Sequence, residues 1–373
     1  MTVIFVRSPY TISVDESGQV GSKIELRVWY NGDARPILAT YALSKVIPSL
    51  TQTETYYNIS PYIKDYIHQI NPQTNLLIDT EEKEMYCLVE VIRFYTTDGI
   101  EYTELDTLDF VAVNGFTNPN LGANQSITDV LVYLTNDEID IQTSQQATVF
   151  GGPQNVPYFN VLIDWQAVAT KEVRYLYKDL DGNNLSTQTI LTDADAVGIY
   201  CLKVPYRLNG SAYVNGNTVE VRNTARSGSL APFNPIRYVT VDECKYTPVR
   251  CDYINRDGGW QTITFFKAQT NNFDFKNSDF NNLAENWDYN PLVGGSTDFN
   301  FEANQNVKLN TGWVKENYIN LIFDLSVSEK VLLNNVPVKV KSKNLQYKTQ
   351  LKDKNINYEI EFEYTYNLIN DVQ

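Results

Sequence analysis

A chain of 373 residues is long enough for two or three domains, each able to bury a core of its own. Its formal charge of −15, from 45 acidic against 30 basic side chains, excludes the basic footprint with which a nucleic-acid binder neutralises phosphates, and no run of about 18 apolar residues exists to span a bilayer. Twenty-six Tyr and 16 Phe beside 2 Met and a single His favour strands, since rings and β-branched side chains fit a pleated, half-buried surface.

The opening, MTVIFVRSPYTISV, lacks a charged segment followed by a long apolar stretch, so the chain reads as soluble and unprocessed. Residues 1–116 read as a β-sandwich module. Alternation in KIELRVWY (23–30), in 39–43 and in the run from Tyr86 to Val113 marks strands, and Asp98-Gly99 marks a hairpin with a tight primed turn. One short helix is expected at 60–70, with Ser60 as N-cap, Pro61 in the first turn and Ile63, Ile67 and Ile70 on one side.

Asn114–Ser126 is rich in Asn, Gly and Pro with little to bury, which makes it a linker candidate. Residues 117–242 read as a second β-sandwich or barrel-like module of short strands at near-regular spacing. Within it, KDLDGNNL resembles a calcium loop only superficially. Gly182 follows Asp179 and Asp181 too soon for an EF-hand, and a type I′ hairpin turn is expected instead.

Residues 243–373 read as a third, β-rich module. It opens with a hairpin turning at Asp257-Gly258, with Trp260, Ile263 and Phe265 lining a face. Asn271–Asn306 is crowded with Asn and aromatic residues but lacks sustained periodicity, so it reads as short strands joined by long loops or as a partner-binding excursion. A helix is expected over 312–325, because Val314, Tyr318, Leu321, Ile322 and Leu325 fall on one stripe that packs on a sheet. The fold class expected overall is mostly β: tandem antiparallel β-sandwich modules, a short helix in the first and one amphipathic helix in the last.

Chemistry is sparse. The four cysteines, Cys87, Cys201, Cys244 and Cys251, match no zinc spacing and read as reduced, buried thiols, with a Cys244–Cys251 bridge left open. One histidine, His68, and the absence of nucleophile-elbow, zinc-protease, Walker or dinucleotide-binding patterns point away from an enzyme, with no catalytic residue, cofactor or metal expected. Asp193 and Asp195 fit a turn as well as an acid pair.

The C-terminal YEIEFEYTY sets Glu359, Glu361 and Glu363 against Tyr358, Ile360, Phe362, Tyr364 and Tyr366, and reads as the wet side of an amphipathic strand. A hairpin with NLQYKTQL (344–351), pairing Leu351 with Ile356, would set Lys348, Gln346 and Asn344 against the three glutamates and Leu345 against Phe362. Upstream, VPVKVKSK alternates in the opposite phase, so a bulge or strand break is expected near Ser342, with Lys339, Lys341 and Lys343 free to flank the acidic column.

Several stretches together resemble virion structural proteins of tailed bacteriophages infecting Bacteroidota: RSPYTISVDESGQVGSKIELRVW, TYYNISPYI, CKYTPV, YINRDGGWQTITFFKA, NTGWVKENYINLIFDLSVSEKVLLNN, VKSKNLQYKT and INYEIEFEY. The matches lie in the first and third modules. The resemblance implies a β-rich, non-enzymatic building block of a tail, a head–tail fitting or a head-attached fibre, located in the virion after assembly in the host cytoplasm. Expected partners are other virion proteins and copies of the chain itself, with neither direct nucleic-acid contact nor membrane insertion. The alternative is a glycan-binding adhesin, in which Trp287 and Tyr289 contact a host-surface sugar.

Overall fold

The computed structural model describes residues 1–47, 54–68, 83–118, 120, 122, 124–135, 140–144, 157–165, 172–179, 181–205, 218–223, 236–241, 245–281, 292, 295–342 and 356–369. It is mostly β, built of several antiparallel sheets in a sandwich-like architecture, with two α-helices among the described residues. The chain forms two compact units, Met1–Asp242 with Tyr253–Ile263, and Glu243–Asp252 with Thr264–Gln373.

The first unit begins with β1 (Thr2–Phe5), β2 (Thr11–Asp15), β3 (Gly21–Trp29), β4 (Tyr41–Val46), β5 (Glu54–Asn58), helix α1 (Ser60–Lys64), β6 (Tyr86–Thr96), β7 (Thr103–Val113) and β8 (Ser126–Thr128). Six strands make one sheet in the order β4-β3-β6-β7-β1-β8, antiparallel except for the β1–β7 pair, while β2 and β5 form a two-stranded sheet. In β3 the alternation is realised directly: Ile24, Leu26 and Val28 are buried while Lys23, Glu25 and Arg27 keep contact with water. With Ile12, Val14, Tyr57, Ile63 and Val89 they form one core, each large aliphatic contributing about 1.5–3 kcal/mol through its burial.

Ser60 is not the cap of α1. Ile59 holds that position without a side-chain bond, and the Ser60 hydroxyl instead accepts from the Tyr10 N–H (2.9 Å) and donates to the Ser8 carbonyl (2.7 Å). Its hydrogen bonds tie the 8–10 segment to the helix. The helix is one short turn; Ile63 and Ile67 are buried, and Ile70 lies outside the described residues.

The unit continues with β9 (Leu131–Leu134), β10 (Asp140–Ser144), β11 (Tyr158–Trp165), β12 (Glu172–Lys178), β13 (Asn184–Thr192), β14 (Gly198–Pro205), β15 (Thr218–Asn223) and β16 (Ile236–Val241). One layer is the sheet β10-β16-β15-β12-β13; in the other, β11 pairs with β14 and with β9. Phe159, Val161, Ile163 and Trp165 from β11 meet Val173, Tyr175 and Tyr177 from β12 in a shared core. Rings this deep need partners for their hydroxyls. Tyr175 donates to the Lys203 carbonyl and Tyr177 to the Pro205 carbonyl, both at 3.1 Å.

Next come β17 (Val249–Ile254) and β18 (Trp260–Phe265), and the division between the units falls inside both strands. Every residue of β18 is buried, so Trp260 does not share a face with Ile263 and Phe265. With a period of two, an even-numbered position points opposite to odd-numbered ones, and burial on both sides accommodates all three.

None of the three Asp-Gly turns is a tight primed turn. Gly99, Gly182 and Gly258 have φ of 76°, 82° and 85°, but the aspartates before them are absent from the positive-φ residues. Longer loops form because a side chain preceding each glycine captures the backbone. Asp98 accepts from the N–H of Ile100 and Glu101 (2.8 and 3.0 Å), Asp179 from those of Asp181 and Asn183 (3.0 and 2.8 Å), and Asn255 from those of Asp257 and Gly259 (3.0 and 3.1 Å).

The 255–259 turn is set deep in the first unit. The Phe116 N–H donates to the Arg256 carbonyl at 2.7 Å, and Asn255 donates to the Leu134 carbonyl at 3.1 Å. Asn114 and Gly115, the start of the segment read as a linker, are buried there. A Cβ on Gly259 would lie 2.3 Å from the Leu134 oxygen, and one on Gly115 would lie 2.7 Å from the Arg256 oxygen, so the DGG run permits backbone to pack on backbone.

The second unit contains β19 (Thr270–Asn281), β20 (Ser296–Val314), helix α2 (Ile319–Ser326), β21 (Val331–Leu333), β22 (Val336–Val340) and β23 (Ile356–Ile369). Its strands follow the order β17-β21-β22-β23-β20-β19. The predicted helix over 312–325 is shorter than expected. Trp313 and Val314 end β20 opposite Asn357 and Ile356, Gly312 has φ 73°, and a 3-10 turn at Glu316–Tyr318 leads into α2. All five residues of the predicted stripe are nonetheless buried, because a strand end and a 3-10 turn can deliver Val314 and Tyr318 to the same core as the helix.

Candidate functional site

The acidic column lies on the solvent side of β23. Tyr358, Ile360 and Phe362 are buried, Glu359 is exposed, and Glu361 and Glu363 are half-buried. Phe362 meets Phe265 edge-on with ring centroids 5.8 Å apart. The predicted pairing is corrected: Val340, not Leu345, lies opposite Phe362, and Lys339, not Asn344, lies opposite Glu363. On the other side β20 places Lys308 opposite Glu361 and Asn310 opposite Glu359. The segment 344–351 lies outside the described residues.

The lysines reach the glutamates from both neighbours. Lys308 forms an ion pair with Glu359, and its ammonium holds that carboxyl below the usual range. Lys341 stands 3.8 Å from Glu361 and 3.3 Å from Asp274, whose carboxylate raises the lysine's pKa. The strand β22 stops at Val340, where the N–H groups of Lys341 and Ser342 both donate to the Glu361 carbonyl. That doubling accommodates the phase change in VPVKVKSK. Exposed pairs of this kind are worth under about 1 kcal/mol each and serve register and solubility.

Beside this column stands a feature that periodicity missed. Asn271–Asn306 contains two long strands, β19 and β20, paired from Thr270↔Lys308 to Asn281↔Ser296. Beyond Ala303, opposite Ile369, β23 has ended, and β19 and β20 pair only with each other among the described residues. Both faces of this ribbon meet water, so its sequence carries no buried/exposed alternation to read. A signal was present in the i, i+2 rings of FDF and FNF.

Five phenylalanines, Phe273, Phe275, Phe280, Phe299 and Phe301, are each close to half exposed or more, and Phe275 is 72% exposed. A bulge between Lys276 and Ser278, with Asn300 at φ 55°, shifts the register. Phe273, Phe275 and Phe301 therefore share one face. Phe280 and Phe299 share the other, their centroids 6.4 Å apart.

In the first unit a cleft of about 370 Å³ is lined by Trp29, Arg35, Glu90, Asp109, Phe110 and Asp164, among others. Glu90 is buried, with one carboxylate oxygen on Arg27 (2.8 Å) and the other on Arg35. The arginines engage both oxygens, an arrangement that fixes loop 30–40 to the sheet. Long-range pairing of this kind left no local mark in the sequence.

The remaining candidates fall as follows. Trp287, Tyr289 and Cys244 lie outside the described residues. Cys87, Cys201 and Cys251 are buried, and burial pushes the thiols of Cys87 and Cys251 up. His68 is exposed. Asp195 closes a turn by accepting from the Thr192 N–H at 2.6 Å. Asp179, exposed and hydrogen-bonded within its hairpin loop, has its pKa lowered chiefly by Asn183.

Among the described residues, no three His, Cys, Asp or Glu side chains are grouped to hold a metal ion, and no helix is long and apolar enough to cross a membrane. No family model and no curated protein sequence matches the chain.

Proposed function

We propose that the chain is a non-enzymatic structural component of a phage virion, in a tail, a head–tail fitting or a head-attached fibre, that assembles with copies of itself or with neighbouring virion proteins. The observation that carries this reading is the β19–β20 ribbon, which exposes five phenylalanines on two faces and ends in strand edge. Exposed apolar surface rimmed by polar residues marks association, and interface cores favour rings. The resemblance of the first and third modules to virion proteins supports the same reading.

Imaging of purified particles carrying a labelled copy of the chain tests it. A fixed position and stoichiometry are expected, and absence of the chain from particles overturns it. Binding on a glycan array that is lost in Trp287→Ala would replace it with the adhesin reading.

A further inference from the structure

The edge of the ribbon carries a more specific assignment, which rests on the reading of the ribbon as an assembly surface and names its partner. β19 is the last strand of its sheet, twelve residues long, and its outer edge has no strand beside it among the described residues. Proteins blunt long exposed edges or pair them, because a row of free N–H and C=O groups is a template for another strand. Past Phe275, where β23 has ended, β19 and β20 continue as a two-stranded ribbon, which is marginal in water without further strands.

We infer that β19 pairs antiparallel with β19 of a second copy of this chain, about a two-fold axis through Phe275. The charges select both the partner and the register. With Phe275 opposite Phe275, Asp274 of each copy lies opposite Lys276 of the other, Phe273 lies opposite Asn277, and Asn272 lies opposite Ser278. Moving the axis by one residue sets Asp274 against Asp274 or Lys276 against Lys276, and an in-register parallel pair opposes every charge to itself. Like charges directly opposite are destabilising.

Lys276 is exposed, and Asp274 holds Asn306 (2.5 Å) and Lys341 (3.3 Å) of its own chain on one oxygen, Oδ2. In the paired form Phe273, Phe275 and Phe301 of the two copies lie on one side of a continuous sheet, with the two Phe275 rings as immediate cross-strand neighbours. The contact is isologous and closes at two copies.

Sedimentation of the full chain, with Phe275→Cys and Lys276 variants, tests this. A dimer is expected, and Phe275→Cys should give a covalent dimer on mild oxidation that the parent chain does not give. Lys276→Asp, which opposes carboxylate to carboxylate at both sites, should raise the dimer dissociation constant at least about tenfold, while Lys276→Arg leaves it within about twofold. A monomer at all concentrations overturns the inference. So does a dimer, trimer or ring indifferent to Lys276→Asp and not cross-linked by Phe275→Cys, an outcome that leaves the virion reading standing. Loss of that reading by particle imaging leaves the dimer intact.

Discussion

Glu90 is the residue whose removal has the largest predicted effect. It lies 2% exposed between Arg27 and Arg35, so Glu90→Ala would strand the partly buried Arg27 guanidinium without its counter-charge. Breaking such a pair costs about 3–5 kcal/mol, to be measured by urea unfolding. Arg35→Ala should cost less, because that side chain is half in water. Thiol chemistry offers a second check at this scale. Burial raises the pKa of Cys87 and Cys251 and screens both sulfurs, so iodoacetamide at pH 8 should leave both unmodified in the native protein and label both after denaturation, read by peptide mass.

Asp98 carries a pH dependence. The N–H groups of Ile100 and Glu101, with the Thr96 hydroxyl, stabilise its ionised form and lower its pKa. The folded value then lies below the unfolded one of about 3.9. Its contribution is present above that pH and is lost as pH falls through the folded value. The gap in unfolding free energy between the parent and Asp98→Asn should therefore narrow from pH 7 to pH 3.

Among the elements, the 255–259 turn and the loop between β12 and β13 separate steric from torsional need for glycine. Gly259→Ala would drive a methyl onto the Leu134 carbonyl and should cost about 1–3 kcal/mol by overpacking. Gly182 has open space around it and a φ of 82°, so Gly182→Ala should cost about 1–2 kcal/mol through backbone strain alone. Comparing the two by thermal unfolding distinguishes close approach from turn geometry. Gly182 was visible in the sequence as a turn former; Gly259, the second glycine of DGGW, was not visible as a packing residue, because Leu134 lies far from it along the chain.

At the scale of the whole molecule, the charge of −15 and a pI near 4.6 govern behaviour in solution. Near the isoelectric point self-repulsion vanishes, and turbidity against pH should peak close to 4.6 if the exposed rings of the ribbon drive association.

Local pattern alone determined that the chain is built of strands. It also determined that Ile24, Leu26 and Val28 point inward, that the glutamates of β23 face water, and that the stripe from Val314 to Leu325 is buried. Each of these depends on alternation or spacing over a few residues. Only the tertiary structure decided which strands lie beside β23, where the helix begins, why Gly259 must lack a side chain, and that Glu90 holds two arginines, since those depend on neighbours brought in from distant segments. The ribbon escaped the sequence reading for a related reason: a strand wet on both faces needs no periodic apolar side, so beyond the paired rings of FDF and FNF nothing local marks its length or its partner.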